Sequence, residues 1–493
     1  MSWINHMKPR WFVWTILVFF GCVYFSISIY NHYNYRTFAY DLGIKNQVLW
    51  DYAHGRMNYN TIMPELNGQV NVLANHFEPV LFIFAPLYYI FGSYTLLLVQ
   101  IAFILTGGYG LYKYLAEISG DRIFAAIGMA MFFAMWGVFG ALSFDFHTNV
   151  LAAVIVPWLF FAIQRKKHVL WILVLALILL CKENVALWMV FVGLGIFFHW
   201  IKDKKRRNIG LLTALISGIY FIVVMKYAMP YFSGGQLPYL HFKYAALGSS
   251  WTEALHTVFT RPGYTIRLLF EPHAAAGDPV FNHQAKLQLH TFVFLSGGIF
   301  LLLRPQFLVM LVPIYAQKMF SDDAVKWSIF QQYSIEFVPI IVLAAFTWIN
   351  RSENTIVKIL AGMLIFLAAF DTTKAFTGLW QPLPYGKVLT NFYQPTHYKR
   401  EIDIKELRQL IKAVPAGAPT SASFYVLPHM ADRKKIYQFP EIKDAGYILA
   451  VDDGTCYYPL EYWSYQSTMD SILHTGAWDI HLKTSHGFVL KRK

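Results

Sequence analysis

The chain has 493 residues, of which 56% are hydrophobic, 18% aromatic and only 14% charged, with a mean hydropathy of +0.41. A soluble protein would carry roughly 25% charged residues, so this composition excludes a soluble globular enzyme and indicates a multi-pass membrane protein. The net charge of +13 does not indicate a nucleic-acid partner, because the basic residues fall in short clusters between apolar runs, where the positive-inside rule places them.

Residues 11–30 form a first apolar run long enough to cross a bilayer and lack a small-residue cleavage site, which reads as an uncleaved anchor. Lys8 and Arg10 precede it, predict a cytoplasmic N-terminus and set the loop 31–79 outside. That loop carries Asp41 and is too long to be an idle connection. Asp41 is the leading catalytic candidate; its alternative reading is the N-cap of a short amphipathic helix over 43–53.

Residues 80–91 are too short to span, and lie along the interface or begin the next helix. Spans are predicted over 93–115, over 123–142, and from 149 to the basic cluster Arg165, Lys166 and Lys167. The segment 169–200 holds Lys182 and Glu183 at its middle, and one continuous helix would carry both charges to the bilayer centre at roughly 3 kcal/mol each. Two spans meeting outside at 181–184 avoid that cost. The densest basic cluster, 202–207, marks the inside again.

After a span over 209–229 comes a second external loop, 230–288, then shorter spans over 289–303, 307–319, 335–349 and 356–370. The total is about eleven spans, an odd number that leaves the tail outside. The tail has helical periodicity over 401–413, a buried strand over 447–451 and a final hairpin turning at 485–487. The expected fold is therefore mainly α: a polytopic helical membrane domain over 1–370 and a small α/β extracytoplasmic domain over 371–493. The three cysteines are far apart and make no disulfide framework or CxxC metal motif.

On that topology Asp41, His76, Glu78, Asp145, His147, Lys182 and Glu183 come from separate loops to one membrane face. Each has an ordinary reading: His76 and Glu78 could cap the next helix, and Asp145 and His147 could satisfy each other. As a set they point to a functional site, since ionisable groups at span ends are costly to keep. Asp145 and His147 are expected beside Asp41.

The segments Tyr40-Asp41-Leu42-Gly43, His76-Phe77-x-Pro79, Phe144-Asp145-Phe146-His147, Lys182-Glu183, Leu427-Pro428-His429 and Ile436-Tyr437-Gln438-Phe439-Pro440 resemble the multi-pass family catalogued as domain of unknown function 2079, from residue 36 onward. In overall plan that family is similar to the GT-C glycosyltransferases, polytopic enzymes with an acidic residue in the first external loop and lipid-phosphate-linked sugar donors. The resemblance implies a transfer of sugar from a polyprenyl-phosphate donor to an extracytoplasmic glycan, lipid or protein, at the plasma membrane.

Such a transfer needs a base for the acceptor and charge stabilisation for the departing phosphate. Asp41 could be the base, and Lys182, Arg36 and Lys243 the phosphate contacts. His76, Glu78, Asp145, His147 and Glu183 would position the acceptor or hold a divalent metal; their mixed donors suit Zn²⁺ or Mn²⁺ better than Mg²⁺. The chain departs from the family pattern at Asn75 and Asn184, where acids are usual, and this weakens a metal site. The competing readings are a lipid or small-solute transporter or flippase, which should show repeats and interrupted helices at the midplane, and an inert scaffold.

Overall fold

The computed structural model describes residues 9–493 except 64–65, 67–69, 236–241, 275–281, 453 and 455. The chain is mainly helical, with one small sheet near its C-terminus. Among the described residues five helices are long and apolar enough to cross a membrane: Trp11–Tyr33, Val80–Ser119, Lys204–Ser233, Ala285–Leu303 and Thr355–Gly378. Two further helix pairs reach that length only if each is counted as one span. The first bends by 44° between Arg122–Ala134 and Trp136–Leu142, the second by 67° between Ala324–Ser334 and Phe337–Ile349. Among the described residues three shorter apolar helices, Thr148–Gln164, His168–Leu179 and Glu183–His199, join the bundle, and the helix Pro305–Met319 packs against the last of them.

Several predicted boundaries change. The segment 80–91 runs through short turns into the following helix. The last span extends past Asp371 to Gly378. The expected break at Lys182 is present, since one helix stops at Leu179 and the next begins at Glu183.

Thr148–Gln164 and Phe337–Ile349 are apolar on every face and almost wholly buried, as helices at a bundle centre must be. Lys204–Val223 and Thr355–Gly378 instead turn exposed Leu215, Ile219, Leu360 and Leu364 outward, the pattern of a lipid-facing rim. Small residues permit the closest approach: a Cβ on Gly107 would lie 2.0 Å from the Val154 carbonyl oxygen. The helices Thr95–Ser119 and Thr148–Gln164 therefore meet backbone to backbone there.

The basic clusters share one end of the bundle. Arg165 pairs with Glu117 at 3.0 Å, Arg206 donates to the Gln164 carbonyl at 3.0 Å, and Asn350 donates to the Ile118 carbonyl at 3.1 Å. Asp121, Asp203 and Asn354 cap helices that start at this end. The loops with the candidate site residues lie at the opposite end, one helix length away.

The C-terminal sheet has strands β1 (Thr420–Ala422), β2 (Ile436–Gln438), β3 (Tyr447–Val451), β4 (Trp478–Lys483) and β5 (Gly487–Arg492), in the order β2-β1-β3-β5-β4. The β1 pairings are parallel and those of β5 antiparallel, the latter forming the expected final hairpin. One face of the sheet packs Phe439, Ile448 and Leu490 against Met469 and Ile472 of the helix Tyr462–His474. The other joins the core of the membrane part through Leu407, Leu427 and Val489.

The seam is polar as well. Arg36 donates to the carbonyls of His397 and Lys399, and Arg400 returns two bonds of 2.5 Å to the carbonyls of Asn34 and Tyr35. Asn46 donates to the Pro428 carbonyl at 3.1 Å, and Thr61 exchanges bonds with the Ile436 backbone at 2.7 and 3.1 Å. The C-terminal domain thus sits directly on the loop that carries Asp41.

Candidate functional site

Asp41 lies in a single π turn, Ala39–Gly43, that runs straight into the helix Ile44–Ala53. That helix has no side-chain cap, so the capping alternative for Asp41 fails. Its carboxylate turns the other way: Oδ1 meets His147 Nε2 at 3.0 Å, and the side chain is 27% exposed. Oδ2 makes no hydrogen bond among the described residues.

His147 is held by its neighbours. Its N–H donates to Gln100 Oε1 at 3.0 Å, Gln100 Nε2 donates to the Asp145 carbonyl at 2.9 Å, and the Phe144 ring stacks on the imidazole. A proton on Nε2 satisfies the Asp41 contact and leaves Nδ1 as the lone-pair nitrogen; Nδ1 is buried and unpartnered.

Asp145 serves the same turn from behind. Its Oδ2 accepts the N–H groups of Phe38, at 2.7 Å, and Leu42, at 3.2 Å, which bracket Asp41. Burial pushes its carboxyl well above the usual range, and the nearby Asp41 charge adds to that. Asp145 is a strap for the backbone.

The remaining carboxylates are paired. Glu183 accepts from His76 Nδ1 at 2.9 Å and from the Phe77 N–H at 3.0 Å. Burial and the Lys182 charge hold the His76 imidazole well below its usual value, so it is neutral and donates from Nδ1. Glu78 is ion-paired with Lys45 and accepts from Thr148, next to His147, at 2.6 Å. Burial alone would raise its carboxyl, but the opposing pull of Lys45, then Lys182, brings it down to about 2.

The three cations separate. Arg36 is spent on the C-terminal carbonyls and is buried, away from any solvent-facing phosphate position. Lys182 makes no ion pair among the described residues, and its charge reaches His76, Glu78 and Glu336. Lys243 is exposed on a loop fastened through Asp322, whose N–H donates to the Lys243 carbonyl at 3.0 Å. Its charge and that of Lys182 both bear on Lys326.

The donor set does not suit a divalent metal. Among the described residues no three His, Cys, Asp or Glu side chains converge as ligands, because each carboxylate is already engaged by one His, one Lys or backbone N–H groups.

Four participants escape a reading of the sequence. Gln100 is wholly buried in an apolar helix, a polar intrusion that was itself a signal. Glu336 opens an apolar run and accepts from Asn149 Nδ2 at 3.0 Å. Lys326 and Tyr333 fall in the bent pair, and Tyr333 feels the charge of both Asp41 and Asp323.

The family model described as predicted membrane protein, DUF2079, matches residues 31–450. Among solved structures, the apo oligosaccharyltransferase of Archaeoglobus fulgidus is similar at 10% identity and a TM-score of 0.42, over 92% of this chain and 70% of that one. No curated protein matches.

Proposed function

Since the chain belongs to the DUF2079 family of predicted membrane proteins, and its ionisable groups gather at one end of the bundle, we propose that it is a GT-C-type glycosyltransferase. In this reading it moves a sugar from a polyprenyl-phosphate donor to an extracytoplasmic acceptor. The observation that carries the reading is Asp41, a carboxylate with one oxygen fixed by His147 and the other free of protein hydrogen bonds among the described residues. That is the geometry a general base needs.

Asp41 Oδ2 takes the proton of the acceptor hydroxyl as its oxygen attacks the anomeric carbon. The bond from that carbon to the phosphate oxygen breaks, and its electron pair leaves with the phosphate. Lys182, with Lys243 and Lys326 nearby, meets the negative charge that develops there. A single displacement inverts the anomeric configuration. The placement of these groups at one end, and not half-way along the bundle, favours surface chemistry over passage of a solute.

The test is Asp41→Asn, assayed by transfer of labelled sugar from a polyprenyl-phosphate donor in proteoliposomes. Asn keeps the shape, so folding and insertion should be unchanged, while loss of the base should lower the rate about 10²- to 10⁴-fold. Unchanged transfer would overturn the role.

A further inference from the structure

Two residues that precede Asp41, Phe38 and Tyr40, rest on aromatic side chains of the C-terminal domain. Phe38 stacks on Phe424 at 5.5 Å, Phe424 meets Tyr458 at 5.5 Å, and the Tyr458 ring meets Tyr40, the immediate neighbour of Asp41, edge to face at 6.0 Å. A second aromatic group begins at the next residue in sequence: Tyr457 meets Tyr462 at 5.4 Å, and Tyr462 meets Trp463 at 5.0 Å. Phe424 is buried, but Tyr458, Tyr462 and Trp463 are 47%, 45% and 79% exposed.

Three large aromatic side chains are thus exposed, and one of them, Tyr458, meets the immediate neighbour of Asp41, a surface that calls for an occupant. Polar groups flank them. Asp452 accepts from the Tyr457 hydroxyl and, at 3.0 Å, from Gln466 Nε2, which sets a carboxylate and an amide beside the rings.

We propose that this track is the acceptor subsite and that its ligand is a saccharide chain, a proposal that rests on reading Asp41 as the base of a glycosyl transfer. Sugar rings present apolar C–H faces that stack on aromatic rings, and equatorial hydroxyls that seek carboxylate and amide partners. A bilayer would also accept Tyr and Trp side chains. Two features favour the glycan: Tyr458 meets Tyr40 beside Asp41, and a carboxylate and an amide stand beside the rings.

The test is binding, independent of turnover. Full-length protein in nanodiscs is presented to an array of linear oligosaccharides, alongside Tyr458→Ala, Trp463→Ala and, as a control, Tyr393→Ala, whose ring is exposed outside this track. At least one saccharide class should bind the unaltered protein. Its affinity should fall about tenfold or more in Tyr458→Ala and Trp463→Ala, and stay unchanged in Tyr393→Ala, with matching melting curves. Absence of binding by any saccharide, or binding indifferent to both substitutions, would overturn the proposal. So would quenching, by brominated lipid, of a fluorophore attached at Trp463→Cys in a Cys22→Ser background, since the track would then face the bilayer. Transfer that persists without saccharide binding would remove the glycan acceptor and leave the transferase reading standing. Binding without transfer would do the reverse.

Discussion

His147 is a positioning residue whose effect on the reaction passes through Asp41. The Nε2 contact at 3.0 Å fixes one carboxylate oxygen, and so fixes the direction in which the other faces. A misplacement of about 1 Å at a reacting group can cost about 10²-fold in rate, so His147→Ala should lower kcat by roughly that factor and leave KM near its original value. His147→Gln carries an amide that can reach the same oxygen and should restore part of the loss; steady-state kinetics of both variants check this. Glu78 behaves differently, because its role is stability. Its folded carboxyl lies at about 2, below the ordinary 4.5, owing to Lys45. A depressed acid contributes stability that is fully present above 4.5 and lost as the pH falls toward 2. Melting curves in detergent should show that acid loss, and Glu78→Gln should flatten it while lowering the midpoint at neutral pH, because Lys45 is left buried and unpaired. Asp41, His76 and Glu183 were legible in the sequence as ionisable residues at span ends, but the pairing of His76 with Glu183 was not. Which carboxylate faces solvent and which is strapped to backbone was not, since that depends on the partners that folding brings: Gln100, Lys45 and Thr148.

The segment 143–147 between Trp136–Leu142 and Thr148–Gln164 is the element that builds the site. Asp145 sits at φ +54, a left-handed conformation that Asp tolerates better than most residues, and this aims its carboxylate at the Phe38 and Leu42 N–H groups. Asp145→Ala would leave both donors buried without an acceptor, at about 1 to 3 kcal/mol each, and would release the turn that carries Asp41. Thermal unfolding and transfer should both fall. Asp145→Asn keeps an acceptor oxygen, and burial already disfavours the charged form, so its loss should be much the smaller of the two. Near-equal effects would show that the charge of Asp145, and not its bonds to the backbone, is what the site needs. At this scale the sequence exposed what periodicity and charge can mark: the strand 447–451, the final hairpin and the break before Glu183. It did not expose the bends before Trp136 and Phe337, because apolar runs read alike whether straight or broken.

In the whole molecule, the first external loop is held between two bodies. The segment 143–147, with Asp145 and His147, and Glu183 at the start of its helix support it from the membrane side, while Leu427, Pro428 and Ile436 of the C-terminal domain cover it from the other. A Cβ on Gly43 would come within 2.6 Å of Leu427 Cδ2, so the domain fits closely against the turn that carries Asp41. Of the tail segments 427–429 and 436–440, Leu427, Pro428 and Ile436 lie on this contact surface, while Phe439 packs on the other face of the sheet. The same arrangement decides how sidedness can be measured. The basic clusters and the candidate site lie a helix length apart, so a cytoplasmic basic end requires an extracytoplasmic site and C-terminal domain. The native Cys456 is buried and cannot report on this, and Cys22 is exposed within the first helix. In a Cys22→Ser background, Lys412→Cys lies on the exposed face of the helix Ile404–Ala413, and Lys204→Cys lies exposed in the basic cluster. A membrane-impermeant maleimide added to intact cells should modify the first and spare the second until the membrane is opened. Modification of Lys204→Cys in sealed cells would invert the map and place Asp41 in the cytoplasm, where the proposed extracytoplasmic acceptor could not reach it.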